Sequence, residues 1–274
     1  MKALTLLAVL LVVPAIAASA EERPRRVVSM NTCVDQFLVA LADKDQIAAL
    51  SNYSRDPGLS YFAQAAEAWP QTRGSVEEVL ALRPDLVIAG TSRRQGAVAQ
   101  LRKQGLRIVE VRPADGYPAI IAEIREIAAL LGQTERGETM IAQMDAALAA
   151  IPAPPAPKPV AAYYARRGYL SGTRSLINDM MNRAGFVNLA EKLGRKTVTQ
   201  MPLEMLVQAK PDYLIMDTDA DPNTDLGSAM LFHPALAAVV PRQRWLGLPR
   251  AMTTCGGPFF PQAVERLAAQ RSPS

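Results

Sequence analysis

VEEVLALRPDLVI, at residues 76–88, is repeated as LEMLVQAKPDYLI at residues 203–215. The two stretches align without a gap. Each has a glutamate near its start, then a basic residue followed by Pro-Asp, and then an apolar run. This order predicts an amphipathic helix that the proline ends, followed by a tight turn into a buried strand. One copy in each half of the chain indicates two similar α/β lobes.

The sequence around the two copies continues the same alternation of short apolar runs and helical stretches. Short buried strands that are separated by helices predict a mostly parallel sheet covered on both faces. The predicted strands are Val27–Met30, Ile47–Ser51, Leu86–Ala89 and Ile108–Val111 in the first half, and Val160–Tyr164 and Tyr213–Met216 in the second.

The middle of the chain has a different pattern. Apolar residues recur at helical spacing on both sides of Gly132, and a proline-rich stretch over 152–159 follows. This predicts a long, rigid linking helix with one break. The predicted organisation is a signal peptide over 1–20, an N-terminal α/β lobe over 21–117, a linking helical segment over 118–151 and a C-terminal α/β lobe over 152–274.

The first twenty residues have the features of a secretory signal peptide. Lys2 precedes an apolar run, and Ala18-Ser19-Ala20 forms a small-residue cleavage site. We expect cleavage after Ala20 and a periplasmic location. In that oxidising compartment Cys33 and Cys255 are candidates for a disulfide. Two buried thiols, or thiols near a ligand, are the alternatives.

Composition and motifs disfavour several classes of protein. The net charge of +4 is diffuse and no basic run is interleaved with aromatic residues, so nucleic-acid binding is not expected. A receptor of bare metal ions needs several histidine and carboxylate ligands, and this chain has the single histidine His233. No nucleophile elbow, phosphate loop or dinucleotide fingerprint is present, so a secreted α/β enzyme is the less favoured alternative to a binding protein.

The secretion signal, the doubled helix-basic-Pro-Asp-strand unit and the linking helix together resemble the class III substrate-binding proteins of ABC importers. The resemblance covers essentially the whole chain after the signal. It implies a two-lobed monomer without a cofactor, which carries cobalamin, a ferric siderophore or haem between its lobes to a permease. In that family one glutamate on each lobe docks onto arginines of the permease. The matching residues are Glu77 and Glu204.

Ligands of open α/β sheets bind beyond the carboxyl ends of the strands, and arginine and tyrosine are frequent there in this sequence. Arginine pairs with carboxylates and phosphates, and tyrosine adds flat apolar area, so a bulky anionic chelate is expected. We rank a ferric siderophore first, cobalamin second and haem third, with Tyr164 as an available axial ligand for haem. The candidate ligand-binding residues are Tyr53, Arg55, Arg93, Arg94, Tyr164, Arg166, Arg167 and Trp245.

Overall fold

The structure, a computed structural model, describes residues 23–91, 95–154, 156–220 and 226–271. The predicted signal peptide over 1–20 lies outside the described residues, and so do Arg93 and Arg94.

The N-terminal lobe is built on a five-stranded parallel sheet in the order β3-β2-β1-β4-β5. The three central strands are almost wholly buried, as expected for a parallel sheet with helices on its faces, whereas the two edge strands are partly exposed. The strands are β1 (Val27–Ser29), β2 (Ile47–Ser51), β3 (Gln71–Thr72), β4 (Leu86–Gly90) and β5 (Ile108–Val111), and the helices between them are α1 (Thr32–Leu41), α2 (Val76–Ala81) and α3 (Gln95–Lys103).

The C-terminal lobe has a mixed sheet in the order β11-β10-β6-β7-β9, and β8 also pairs with β6. β6, β10 and β11 run parallel, whereas β7 is antiparallel to its neighbours β6 and β9. The strands are β6 (Val160–Ala165), β7 (Tyr169–Leu170), β8 (Val187–Asn188), β9 (Thr199–Gln200), β10 (Tyr213–Asp217) and β11 (Trp245–Leu248). The helices are α6 (Leu176–Arg183), α7 (Leu189–Lys192), α8 (Leu203–Ala209), α9 (Leu226–Ala229), α10 (Pro234–Val239), α11 (Arg250–Thr253) and α12 (Phe260–Gln270).

The sequence repeat corresponds to α2–β4 in one lobe and α8–β10 in the other. The basic residue of each copy has a left-handed backbone, with φ of 46° at Arg83 and 45° at Lys210. This conformation reverses the chain between the helix and the buried proline. The aspartate that follows the proline then accepts hydrogen bonds from the backbone at the start of the neighbouring strand. Asp85 binds the amides of Arg25 and Arg26, which precede β1.

In the second copy Asp212 accepts from the amide of Val160, the first residue of β6, at 2.7 Å. The backbone amides of Asp85 and Asp212 in turn donate to the carbonyls of Arg26 and Val160. The identical spacing in the two copies of the repeat therefore has a physical cause, because each Pro-Asp pair fixes the start of one strand against another.

The linking segment, predicted as one long helix with a break at Gly132, is a pair of helices: α4 (Tyr117–Leu131) and α5 (Thr134–Ala149). Gly132 has a φ of 69° and caps α4. The helices run antiparallel, because Arg125 pairs with Glu138 near Gly132 while the hydroxyl of Tyr117 donates to Asp145 at the other end.

α5 runs from one lobe to the other. Near its start, Arg136 donates to the carbonyl of Leu41 at the end of α1. Near its end, the residues around Ile151 face Glu265 and Ala268 of α12 across a groove. At 1.5 Å per residue, this helix of 16 residues spans about 24 Å between the lobes.

The largest group of buried apolar side chains contains residues from both lobes. Phe37 of α1 and Ile124 of α4 belong to the same cluster as Met180 of α6 and Phe260 of α12. The ring of Tyr117 lies 5.3 Å from that of Phe260. Although the two lobes have separate sheets, they share one buried apolar interior.

Candidate functional site

The two lobes meet at the carboxyl ends of their strands. A segment of the C-terminal lobe, residues 249–259, follows β11 and reaches the N-terminal lobe, and we call it the crossing segment. Nε of Arg250 donates to the carbonyl of Gly58 at 3.1 Å. Further along, the ring of Phe259 stacks on Tyr61 with 4.6 Å between the ring centroids. These contacts bring the loop that follows β2 against the end of β11.

The crossing segment also carries one half of a disulfide. Cys255 is bonded to Cys33 in the first turn of α1, with 5.2 Å between their Cα atoms and a sequence separation of 222. Of the three arrangements that the sequence leaves open for the two cysteines, the structure has the bridge. It joins the two lobes covalently where they meet.

Beside the bridge is a small cavity of about 20 Å³, roughly the space of one water molecule. Cys33, Arg112 and Glu123 are among its lining residues, together with Gly256 of the crossing segment. Burial raises the pKa of the Glu123 carboxyl to about 8, and the nearby charge of Glu126 acts in the same direction. At this volume the cavity is too small for a chelate.

A polar cluster lies at the carboxyl ends of β6 and β10. The hydroxyl of Tyr163 donates to the carboxylate of Asp217 at 2.5 Å and also lies 3.3 Å from the hydroxyl of Thr253. Burial, followed by the charge of Asp217, raises the pKa of Tyr163 well above its usual value. Burial likewise raises the pKa of Asp217, against the stabilising effects of Tyr163, Arg250 and Arg166.

Arg166 follows the end of β6 and Arg250 begins α11, and the charges of both guanidinium groups act to lower the pKa of Asp217. The backbone amide of Arg250 also lies 3.3 Å from a carboxylate oxygen of Asp219. Arginine and carboxylate side chains therefore share the end of the sheet that faces the N-terminal lobe. Such a site can hold an anionic group at the guanidinium groups and accept hydrogen bonds at the carboxylates.

Of the predicted ligand-binding residues, Tyr53 and Arg55 lie in the loop after β2, on the side of the N-terminal lobe that faces the crossing segment. The side chain of Tyr53 is 46 % exposed. The guanidinium of Arg55 donates to the carbonyl of Trp69 at 2.6 Å, so part of its hydrogen-bonding capacity holds the loop together.

Arg166 and Arg167 follow β6 and are exposed. Arg167 has a left-handed backbone, with φ of 59°, and its carbonyl accepts from the side chain of Gln200. Arg166 acts electrostatically on Asp217, so the structure brings it to the polar cluster.

The structure places two of the predicted residues away from the polar cluster. Tyr164 is fully buried and its hydroxyl donates to the carbonyl of Met201 at 2.8 Å. Successive residues of a strand point to opposite faces, so Tyr163 reaches the cluster and Tyr164 enters the core. Trp245 begins β11, at the opposite end of the sheet from Arg250, where Arg242 lies over its ring and its indole donates to Val240.

Glu77 and Glu204, predicted to dock on a permease, lie in the first turns of α2 and α8 and are exposed. α2 follows the carboxyl end of β3. α8 leads back to the start of β10, so its first turn also lies toward the carboxyl ends of the strands. Both carboxylates are therefore on the side of their lobe where the lobes meet.

Sequence reasoning missed Arg250, Asp217 and Thr253 as members of the site. The signal for Arg250 is weak, because β11 is only four residues long and reads WLGL, with glycine inside the strand. Without that strand, the position of Arg250 just beyond its carboxyl end cannot be inferred. Tyr61 and Phe259 also come together only through the arrangement of the lobes.

Within the described part of the chain, no group of three or more His, Cys, Asp or Glu side chains is placed to hold a metal ion. His233 caps α10, where its Nδ1 accepts from the amide of Ala235. In the same ranges of residues, no helix has both the length and the apolar character needed to cross a membrane.

Comparison with solved structures agrees with this architecture. A possible iron-binding (periplasmic solute-binding) protein from Staphylococcus epidermidis superimposes with a TM-score of 0.75 over 91 % of this chain and 99 % of that one, at 17 % identity. The periplasmic heme-binding protein RhuT from Roseiflexus gives 0.70 over 90 % and 97 %, at 23 % identity. The vitamin B12-binding protein BtuF of Vibrio cholerae gives 0.65 over 90 % and 96 %, at 18 % identity. Likeness at these identities concerns the fold.

Among curated sequences, cobalamin-binding proteins of two strains of Halobacterium salinarum are 25 % identical over 220 residues, or 78 % of this chain. The alignment spans 60 % of the length of these relatives. The family model described as periplasmic binding protein matches residues 27–240, from β1 to the end of α10. The doubled α/β unit, the two sheets and this match have one explanation: the chain belongs to the periplasmic binding protein family.

Proposed function

We propose that the chain is the substrate-binding component of an ABC importer and that it carries a metal chelate, in the first place a ferric siderophore. The observation that carries the proposal is the placement of Arg166 and Arg250 at the strand ends where the lobes meet, opposite the loop of Tyr53. A site of this kind lies where open α/β sheets bind their ligands.

The chemistry of the site supports an anionic chelate. Guanidinium groups bind carboxylate and catecholate oxygens through directed hydrogen bonds. Tyr53 is 46 % exposed and lies on the N-terminal side of the boundary, where it offers a flat surface to an aromatic or ring-shaped ligand. The ring of Tyr61 beside it is already stacked on Phe259. In a metal chelate the chelating molecule supplies the ligands of the metal, so the protein needs no metal-binding cluster of its own.

A corrinoid is the second candidate, and the observation in its favour is the 25 % identity with proteins named as cobalamin-binding. Haem is the third. An axial tyrosine for haem would have to come from an exposed residue such as Tyr53, because the hydroxyl of Tyr164 is buried against the carbonyl of Met201.

The remainder of the proposal concerns the partner and the compartment. Delivery would be to the permease of an ABC importer, with Glu77 and Glu204 as one docking carboxylate on each lobe. The protein would act as a periplasmic monomer after cleavage of the signal peptide behind Ala20.

A thermal-shift screen tests the ligand. The purified protein is heated alone and with ferric catecholate and ferric carboxylate siderophores, cobalamin and hemin, each with its metal-free or apo counterpart as the control. A ligand at a hundred times its Kd adds about 2.7 kcal/mol of stability, which for a chain of this size corresponds to a rise in Tm of about 5–10 °C. A shift with a ferric siderophore alone supports the first candidate. A shift with cobalamin alone replaces it by the second, and no shift with any chelate refutes the proposal.

A further inference from the structure

A loop at the edge of the C-terminal sheet is exposed along its whole length. It comprises residues 192–198, from the last residue of α7 to the start of β9, and we call it the edge loop. Each of its residues is exposed to solvent. In the described part of the chain β9 is the last strand on that side of the sheet, so the edge loop forms a border of the lobe.

The backbone of the edge loop is held firmly against its own lobe. The amide of Arg174 donates to the carbonyl of Lys196 at 2.9 Å. The two segments also lie in close contact, because a Cβ added at Gly172 would be only 2.4 Å from the carbonyl oxygen of Thr197. The loop therefore presents its side chains from a fixed backbone.

The edge loop and its neighbour Arg174 carry a local excess of positive charge. The cations of the loop are Lys192, Arg195 and Lys196, and the acid nearest to them in the sequence is Glu191. Among the described residues, none of these four cationic side chains is paired with a carboxylate. Their charges are therefore available to an anionic partner.

Two apolar side chains accompany the cations. Val198 is 58 % exposed, more than any other large apolar side chain in the described ranges, and Leu193 is 36 % exposed. Single exposed apolar residues are ordinary, but these two share a short loop with three cations. Cations attract the phosphates of anionic lipids, and apolar side chains enter the boundary between headgroups and acyl chains. A soluble polyanion would use the cations alone, so the combination fits a lipid surface better.

We propose that the edge loop is a contact site for a membrane surface that contains anionic lipids. Lys192, Arg195 and Lys196 bind lipid phosphates, and Leu193 and Val198 enter the headgroup boundary. The contact is weak and reversible, since so few groups provide far less affinity than a membrane-spanning helix. This inference goes beyond the proposed function and does not rest on it.

Flotation with lipid vesicles tests the contact. The purified protein is mixed at low salt with vesicles of pure phosphatidylcholine, or of phosphatidylcholine with an equal amount of phosphatidylglycerol. Binding is expected with the anionic vesicles alone, and it should weaken as salt is added, because salt screens the charges. Absence of binding to the anionic vesicles, or equal binding to both kinds, would overturn the proposal.

A pair of charge variants tests whether the edge loop makes the contact. Arg195→Gln/Lys196→Gln should weaken partition into anionic vesicles about thirtyfold, because each cation near such a surface contributes about fivefold. Lys44→Gln/Lys103→Gln is the matched control, which removes the same charge from exposed positions of the N-terminal lobe. It should bind nearly as the original protein does. Equal losses in the two variants would show that only the overall charge matters and would refute the edge loop as the contact site.

A variant that keeps every charge separates a membrane from a soluble polyanion. Leu193→Ser/Val198→Ser should lower partition at least about fivefold, because apolar area no longer leaves water. Leu80→Ser is the control, at an apolar side chain that is 38 % exposed on α2. Suppose instead that Leu193→Ser/Val198→Ser binds vesicles as well as the original protein and heparin displaces both. The edge loop is then a polyanion site, and the assignment to lipid is wrong.

The vesicle and chelate experiments fail separately. Binding to anionic vesicles without a thermal shift by any chelate would contradict the proposed function and support the edge loop as a membrane contact. A thermal shift by a chelate without vesicle binding would refute the membrane contact alone.

Discussion

The side chain of Arg250 in the C-terminal lobe donates to the carbonyl oxygen of Gly58 in the N-terminal lobe, across 192 residues of sequence. The same guanidinium acts on Asp217 at the end of β10. Arg250 thus connects the polar cluster of one lobe with the tyrosine-containing loop of the other.

Replacement of Arg250 by alanine is expected to weaken binding of an anionic ferric siderophore at least about tenfold, because a guanidinium-anion hydrogen bond contributes about 1.5–3 kcal/mol. Titration of the ligand against the intrinsic fluorescence of the protein measures the effect. Arg242→Ala is the matched control, because that guanidinium lies over Trp245 at the far end of the same sheet. Equal losses for both variants would show that Arg250 has no particular part in binding.

Asp35 provides a test of pH dependence. Its carboxylate is 1 % exposed and accepts from the amide and the hydroxyl of Ser51, and burial raises its pKa from 3.8 to about 6. A carboxyl whose pKa is raised in the folded state stabilises the fold below its unfolded pKa, and that stability is lost as pH rises through the folded pKa. The loss occurs between about pH 4 and pH 6, and it amounts to as much as about 3 kcal/mol.

Asp35→Asn should remove this pH-dependent loss, because the amide keeps an acceptor for Ser51 and cannot ionise. Urea unfolding at pH 4 and pH 7 for the two proteins measures the difference. Asp45→Asn, at an exposed position, is the control and should follow the original protein. A parallel pH profile for Asp35→Asn and the original chain would mean that Asp35 does not ionise over this range.

The docking carboxylates can be separated from the ligand site. Glu77→Gln/Glu204→Gln should reduce uptake in cells at least about tenfold, because charge pairs between partners govern association and release. The thermal shift with ligand should stay the same, since both residues are exposed and neither contacts the polar cluster. Glu67→Gln/Glu191→Gln, with one exposed acid changed on each lobe, is the control. Full uptake by the first double variant would exclude these two residues as docking sites.

Asp85 and Asp212, the aspartates of the two repeat copies, are expected to stabilise the fold by holding the starts of β1 and β6. Asp85→Ala removes the acceptor for two backbone amides and Asp212→Ala the acceptor for one. Because both side chains are exposed, water replaces part of the loss, and each variant should lose about 1 kcal/mol, with the larger effect at Asp85. Urea unfolding measures both, with the corresponding asparagine variants as controls that keep one acceptor oxygen. A larger loss for Asp212→Ala than for Asp85→Ala would contradict this account.

The main strands and helices were predictable because their sequence patterns are local. β4 and β10 are continuous apolar runs that follow a proline, and the structure has them within one or two residues of the predicted bounds. The strands β3, β7, β8 and β9 are two residues long and carry no periodicity that a sequence pattern can report. Their positions are set by pairing with longer neighbours, which is a tertiary effect.

The candidate site stays a prediction, and the structure shows only where its predicted members lie: Arg166 near the polar cluster, and Tyr164 and Trp245 away from it. Tyr163 and Tyr164 are adjacent in a strand whose both faces are buried, so no alternation in the sequence tells which of them faces the polar cluster. Arg55 illustrates a second difficulty, because its guanidinium is used by nearby carbonyls that only the folded loop places within reach. The pairing of Cys33 with Cys255 likewise depends on how the lobes are placed.

The apolar interior that both lobes share limits how this architecture can change. Phe260 and Met180 from one half pack with Ile124 and Phe37 from the other, so a cut between the halves would expose apolar surface on each fragment. Neither half is then expected to fold as an autonomous unit, and whole halves cannot be recombined freely between relatives. Variation between relatives is therefore expected mainly in point substitutions and in those loops at the strand ends that lie outside the shared interior.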